Sequence, residues 1–168
     1  MDAGLLLARL TLGLLMAAHG SQKLFGWFGG YGIAGTGGYF ESLGFRPGRL
    51  FAAAAGSAEF AGGLLLALGF LNPIAAALIV SVMLVAAVTV HWGNGLFSMT
   101  NGIEVPLLYG AGAVALALTG PGAFSVDAAF GLTALWTPAV TLAVVAAGAV
   151  GGLFNLGLRR PAADAVTA

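Results

Sequence analysis

The sequence predicts an all-α protein: a polytopic bundle of transmembrane helices with a four-helix core and a fifth, C-terminal helix. Of its 168 residues, 60% are hydrophobic and only 7% are charged, whereas a soluble domain carries about 25% charged residues. The apolar residues form five stretches that approach the roughly 20 residues needed to cross a bilayer. Turn and capping residues separate these stretches.

Five helices are expected from the apolar stretches. The third begins at Asn72-Pro73 and the fifth at Thr137-Pro138, in each case a capping residue followed by a proline at the first helical position. The fourth is barely long enough to span, because the turn at Gly120 ends it. The predicted helices cover residues 4–24, 49–71, 72–92, 104–120 and 137–158.

The connections between these helices differ in kind. The turn at 71–73 is so short that the second and third helices must be antiparallel neighbours. The connection 25–48 is long and rich in glycine and aromatic residues. Its Trp and Tyr side chains favour the headgroup region. Within it, residues 36–43 are expected to form a short helix in the membrane interface, with Thr36 as its cap.

Three regions are expected along the chain. Residues 1–127 form a four-helix membrane domain, residues 128–158 an interfacial segment and the additional helix, and residues 159–168 a polar tail. Ser125 is expected to cap the interfacial segment, and Asp127 is interpreted as no more than a helix cap.

Composition excludes several classes of function. Six basic and six acidic residues balance, so the chain lacks the basic surface that nucleic acid binding requires. The absence of cysteine excludes disulfides, thiol catalysis and covalent haem attachment, so redox chemistry would need a bound cofactor or a partner. Arg9 lies inside the first apolar run and no Ala-x-Ala site follows it, so the first helix is expected to be retained.

Small residues crowd the second predicted helix, notably Gly56, Gly62 and Gly63. They predict close approach by a neighbouring helix, because small side chains allow backbone contact where lipid removes the hydrophobic driving force. A weak internal repeat is also present. His19 and His91 each close a helix and precede leucine and phenylalanine at the same spacing, as two related helix hairpins would.

Polar side chains are expected to converge on one face of the bundle. Since successive helices alternate in direction, the first and third helices end there and the second and fourth begin there. Glu59 should lie about 15 Å below that face at 1.5 Å per residue. A carboxylate at that depth must be protonated or paired, and Arg9, His19 and His91 are its expected partners. The residues expected at the face itself are His19, Gln22, Lys23, Trp27, His91 and Glu104.

Each polar residue also has a purely structural explanation. Lys23 can extend its ammonium to the interface, the two histidines can bond to carbonyl groups, and Glu104 can stabilise a helix N-terminus. A metal or haem site is not expected, because two histidines have no further ligand except Glu59 or Glu104 and no binding motif accompanies them.

The same positions resemble the DoxX family of small bacterial membrane proteins over residues 1–127, although the fifth helix departs from that family's four-helix pattern. The resemblance implies a bacterial inner-membrane location and an association with quinone-linked redox systems. It is carried by His19-Gly20-x-Gln22-Lys23-Leu24-Phe25-Gly26-Trp27-Phe28-Gly29-Gly30, Phe40-Glu41-x-Leu43-Gly44, Glu59 with Gly62-Gly63-x-Leu65-Leu66, His91 with Gly93, Gly102-x-Glu104, and Gly120-Pro121-Gly122 with Ser125-x-Asp127.

The leading hypothesis is a membrane subunit of a redox system that binds a quinone-like carrier. Glu59, His19 and His91 are the candidates for proton transfer, and the carrier would contact His19, Gln22, Lys23, Trp27, His91 and Glu104. The aromatic residues of the 25–48 connection would line the mouth of the site. The alternatives are a non-catalytic scaffold that docks a soluble enzyme and, less favoured, a small-solute transporter. Expected partners are membrane lipid, other redox proteins and further copies of the chain.

Charge distribution predicts the orientation. Lys23, Arg46, Arg49, Arg159 and Arg160 fall on the polar face and Arg9 does not. The positive-inside rule therefore places that face in the cytoplasm.

Overall fold

A computed structural model describes residues 1–160 and confirms the all-α prediction, since this range contains seven α-helices and no strand. Residues 161–168, most of the predicted polar tail, lie outside it. The helices are α1 (Asp2–Phe25), α2 (Gly32–Ser42), α3 (Gly48–Leu68), α4 (Asn72–Ala86), α5 (Glu104–Thr119), α6 (Val126–Ala129) and α7 (Pro138–Gly157).

The five predicted apolar helices are all present. Four are long and apolar enough to cross a membrane: α1, α3, α7, and α4 together with its continuation to Asn94. The remaining one, α5, has 16 residues and is about 24 Å long at 1.5 Å per residue. It is therefore short for a bilayer, as expected from the turn at Gly120.

Helices α1 and α3 pack through glycines on both sides, which confirms the close approach expected from the small residues of α3. A Cβ added at Gly20 would lie 2.7 Å from the carbonyl oxygen of Gly56, and one at Gly13 2.6 Å from the amide nitrogen of Ala67. Contacts this short leave no room for a side chain. The two antiparallel backbones therefore touch along several turns.

The apolar core lies beside this contact, where α4 and α5 meet α1 and α3. Its largest buried members are Met16, Leu66 and Ile79. The fifth long helix, α7, packs on α4 at Gly148 and Gly152, where an added Cβ would strike the backbone of Ala77 or Ser81. The amide of Arg160 donates to the carbonyl of Gly44 at 2.8 Å, so α7 ends beside the α2–α3 connection.

The capping residues are partly as predicted. Thr137 and Ser125 accept from the amides of Val140 and Ala128 and cap α7 and α6. The prediction for Thr36 was wrong, because α2 begins four residues earlier and buries Thr36 in its interior.

The prediction that Asn72 caps α4 was also wrong. The Asn72 side chain donates to the carbonyl of Leu116, and the start of α4 is capped from across the fold. There, the Asp127 carboxylate accepts from the amides of Leu71 at 2.8 Å and Asn72 at 3.0 Å. Asp127 is thus a cap, as interpreted, but of a helix more than fifty residues earlier in the chain.

Candidate ligand-binding site

A buried ion pair joins α1 to α3. The Lys23 ammonium donates to both carboxylate oxygens of Glu59, at 2.8 and 2.6 Å. The Glu59 side chain is 3% exposed and that of Lys23 is 24% exposed. The expectation that Lys23 extends to the interface is therefore wrong. The expectation that Glu59 pairs with Arg9, His19 or His91 is wrong as well.

The register of the two helices explains this pairing. Gly56 lies against Leu24 and the Cβ of Lys23, so α1 ends level with a point eight residues after Gly48, where α3 begins. At 1.5 Å per residue, the N-terminal end of α3 therefore extends about 12 Å beyond the C-terminal end of α1. Lys23 thereby lies below the polar face, beside Glu59, rather than at the face itself.

The ion pair faces a cavity of about 700 Å³ between α1, α2, α3 and α4. This volume lies within the range of small-molecule sites, which span about 300–1,000 Å³. The cavity lining combines polar residues with apolar and aromatic ones and with glycines. Its lining includes Gln22, Lys23, Gly30, Tyr31, Thr36, Tyr39, Phe40, Glu59, Val82, Val85, Ala86, Val90 and His91.

His91 reaches this cavity from the end of α4. After Ala86 the helix widens into a π-helical turn over Ala87–His91, a distortion that often accompanies functional sites. The His91 Nδ1 atom lies 2.8 Å from the carbonyl oxygen of Asn101. A carbonyl only accepts, so Nδ1 carries the hydrogen of this bond; in the neutral tautomer with that hydrogen, Nε2 is a hydrogen-bond acceptor.

Gln22 lines the cavity and also holds the loop above it. Its Nε2 atom donates to the carbonyl of Phe28 at 3.1 Å. Phe28 has a left-handed backbone, with φ 51° and ψ 37°, which is strained for a bulky residue. The side-chain bond and the contact of Gly30 with the Gln22 backbone stabilise this tight turn.

Four of the predicted site residues therefore line the same cavity: Gln22, Lys23, Glu59 and His91. The other three, His19, Trp27 and Glu104, lie outside the cavity lining, which corrects the expectation of a single cluster. Their contacts are described next.

His19 is exposed, and its ring stands edge-on to Tyr109 of α5 with centroids 5.7 Å apart. Trp27 is exposed and packs on Phe25. The Glu104 carboxylate accepts from the amide of Ser98 at 2.7 Å and closes the loop before α5. The repeat that pairs His19 with His91 thus does not give them matching surroundings.

Arg9 lies in the opposite half of the bundle and is fully buried. Its guanidinium donates to the carbonyls of Ala67 and Phe124 and is attracted electrostatically to the Asp127 carboxylate. It therefore connects α1 to the end of α3 and to the segment after α5, and it does not reach Glu59. Within residues 1–160, no three His, Asp or Glu side chains are grouped closely enough to hold a metal ion.

Aromatic residues of the 25–48 connection, which were expected to line the mouth of the site, form a wall of the cavity on α2. Tyr31, Gly35 and Tyr39 line the cavity at intervals of four residues, which is the spacing of one face of a helix. This aromatic and glycine stripe is readable in the sequence. It becomes informative once the helix is known to begin at Gly32 rather than at Thr36.

Comparison with known proteins agrees with this architecture. The DoxX family model matches residues 4–92, which cover α1 from Gly4 onward, α2 to α4 and the residues of the cavity. The chain is a member of the DoxX family. It is 34% identical over 131 residues to the inner membrane protein YqjF of Escherichia coli (strain K12), a match that covers 75% of this chain and 91% of YqjF.

No solved structure matches the chain. With a relative named as an inner membrane protein and four apolar helices long enough to span, this DoxX protein is a multi-pass protein of the bacterial inner membrane. The family match ends before α5, so α5 and α7 lie outside it.

Proposed function

We propose that this DoxX protein binds the head group of a quinone-like carrier in the cavity between α1 and α4, as the membrane subunit of a redox system. The observation that carries the proposal is the Lys23–Glu59 pair, which lies at the wall of a cavity of about 700 Å³. Charged groups within a membrane are costly and mark working sites.

The hydrogen-bonding chemistry of the cavity suits both redox forms of a quinone. An ammonium has three donors, and two of those on Lys23 are used by Glu59. The third is available to a quinone carbonyl. His91 Nε2, the accepting nitrogen, is available to the hydroxyl of a quinol.

Reduction of a quinone adds two electrons and two protons. Among the groups that line the cavity, His91 and Glu59 are our candidates for exchanging protons with the carrier. The chain has no cysteine, so dithiol chemistry cannot supply the electrons from within it. We therefore include a partner redox protein in the proposal, as the electron donor or acceptor.

A binding titration tests the proposal. The purified protein in mild detergent is titrated with a tail-less dimethoxy-methyl-benzoquinone. We expect Lys23→Gln and His91→Phe each to weaken binding by about ten- to a hundredfold, the cost of a lost hydrogen bond to a charged or buried partner. His91→Phe leaves the ion pair in place, so it reports on the ligand if Lys23→Gln unfolds.

The matched control is His19→Gln. It changes a histidine of the same face that lies outside the cavity, and it should bind like the wild type. A wild-type protein that does not bind the quinone would overturn the proposal. So would folded Lys23→Gln and His91→Phe variants that bind with wild-type affinity.

A further inference from the structure

A second, smaller chamber adjoins the cavity. It has a volume of about 220 Å³ and lies between α2, α3, α4 and α7. Three residues, Phe40, Val82 and Val85, line both spaces. The two chambers are therefore neighbours, and these side chains form part of the wall that they share.

The two chambers differ in chemistry. The ion pair, Gln22 and His91 line the larger one, whereas the walls of the smaller one are mainly aromatic rings and alanines. Phe45, which is 2% exposed, and Phe51 stack with centroids 5.2 Å apart. Among the described lining residues, Ser81 and Asn155 are the only polar ones.

The smaller chamber is smaller than a typical site for an independent ligand. Sites for whole small molecules span about 300–1,000 Å³, and about 220 Å³ is below that range. The volume suits a flexible apolar appendage of a ligand whose head lies next door. Apolar walls would hold such a chain through close van der Waals packing, because lipid or detergent removes the hydrophobic driving force.

We infer that the carrier is tailed: its polar head occupies the larger cavity, and the first part of an apolar, prenyl-type tail passes Phe40 into the smaller chamber. This inference rests on the proposed function. It also assigns a role to α7, because Asn155 of α7 closes the far wall of the tail chamber. The additional helix would then determine how the tail is held.

The test compares two ligands with one head group: the tail-less benzoquinone and the same benzoquinone with a short prenyl tail. The measured quantity is the factor by which the tail raises affinity, that is, the Kd of the tail-less ligand divided by the Kd of the tailed ligand. In Ala55→Leu, which fills the tail chamber one helical turn from Glu59, we expect this ratio to fall by about tenfold. Partition of the tail into detergent is the same for every variant and cancels in the comparison.

Ala61→Leu is the matched control. It makes the same substitution on α3 at an exposed alanine outside both chambers, and it should keep the wild-type ratio. Ala54→Leu, at a more exposed alanine of the tail chamber, should lower the ratio and replaces Ala55→Leu if the latter does not fold.

The outcomes separate the two proposals. If the wild type binds the tail-less head group and both chamber variants keep the wild-type ratio, the chamber holds bulk lipid or nothing, and the inference is wrong while the proposed function stands. If the wild type does not bind the tail-less benzoquinone, the proposed function itself fails.

Discussion

The ion pair between Lys23 and Glu59 is the contact on which the site depends. Moving a carboxylate out of water costs several kcal/mol, and a single partner that forms two short hydrogen bonds offsets this cost. Glu59 is almost fully buried, so water contributes little to the stabilisation of its charge. Each member of the pair is consequently costly to retain without the other.

We therefore expect strong coupling between substitutions at the two positions. Lys23→Met should lower the free energy of unfolding by about 3–5 kcal/mol, because it leaves a buried, unpaired carboxylate. The double variant Lys23→Met, Glu59→Met removes both charges and should be more stable than Lys23→Met. Denaturant titration in detergent of all four proteins of the double-mutant cycle measures the coupling.

Additive losses in that cycle would contradict a direct ion pair. A conservative comparison is Lys23→Arg, which keeps the charge but changes its shape. It should retain more stability than Lys23→Met.

Packing of α1 on α3 places the two charges together. The glycines at this contact leave no space for a methyl group, so a larger residue must move the helices apart. A shift of an ångström or more between α1 and α3 would lengthen both Lys23–Glu59 hydrogen bonds, which are already at optimal distance. The small residues are therefore part of the site although they do not line it.

Gly20→Ala tests this dependence. We expect it to lower the free energy of unfolding by about 1–3 kcal/mol, the usual cost of overpacking, and to weaken quinone binding. Gly4→Ala is the control on the same helix, where an added Cβ meets nothing within 4 Å. It should be neutral or stabilise by roughly 0.5–1 kcal/mol, since glycine is unfavourable within a helix.

Opposite signs for the two substitutions are the expected result. If Gly20→Ala stabilises the protein as Gly4→Ala does, the backbones of α1 and α3 do not touch at this point.

The end of α7 collects positive charge on one side of the bundle. Arg159 donates from Nε to the carbonyl of Leu43, and the amide of Arg160 bonds to Gly44. Both therefore lie beside the α2–α3 connection that carries Arg46. Arg9, on the opposite half, is buried among carbonyl groups and contributes nothing to that surface.

The positive-inside rule then predicts that the α2–α3 connection faces the cytoplasm. The N-terminus of α1, at the other end of the bundle, should face the periplasm. Reporter fusions test this: a cytoplasmic reporter should be active after Arg160, and a periplasmic reporter should be active before Met1. The reverse pattern at both positions would contradict the assignment.

Local chemistry alone predicts much of the fold. Hydropathy and the proline and glycine signals predict all five apolar helices. Ser125 and Thr137 accept from amides only three residues further along the chain, so both caps can be recognised from the local sequence. Asp127 shows the limit of this reasoning. The amides that it caps belong to residues more than fifty positions earlier, so its spacing carries no signal.

In the candidate site, too, some features can be read from the local sequence and others depend on tertiary contacts. Its residue types are visible in the sequence, because charged and imidazole groups stand out in an apolar chain. The register of α1 against α3 is set by glycine contacts between helices, and only the tertiary structure shows it. That register pairs Lys23 with Glu59 and leaves His19 beside Tyr109. A sequence places each residue along its own helix axis, whereas its partners depend on the sliding and rotation of one helix against another, which packing alone decides.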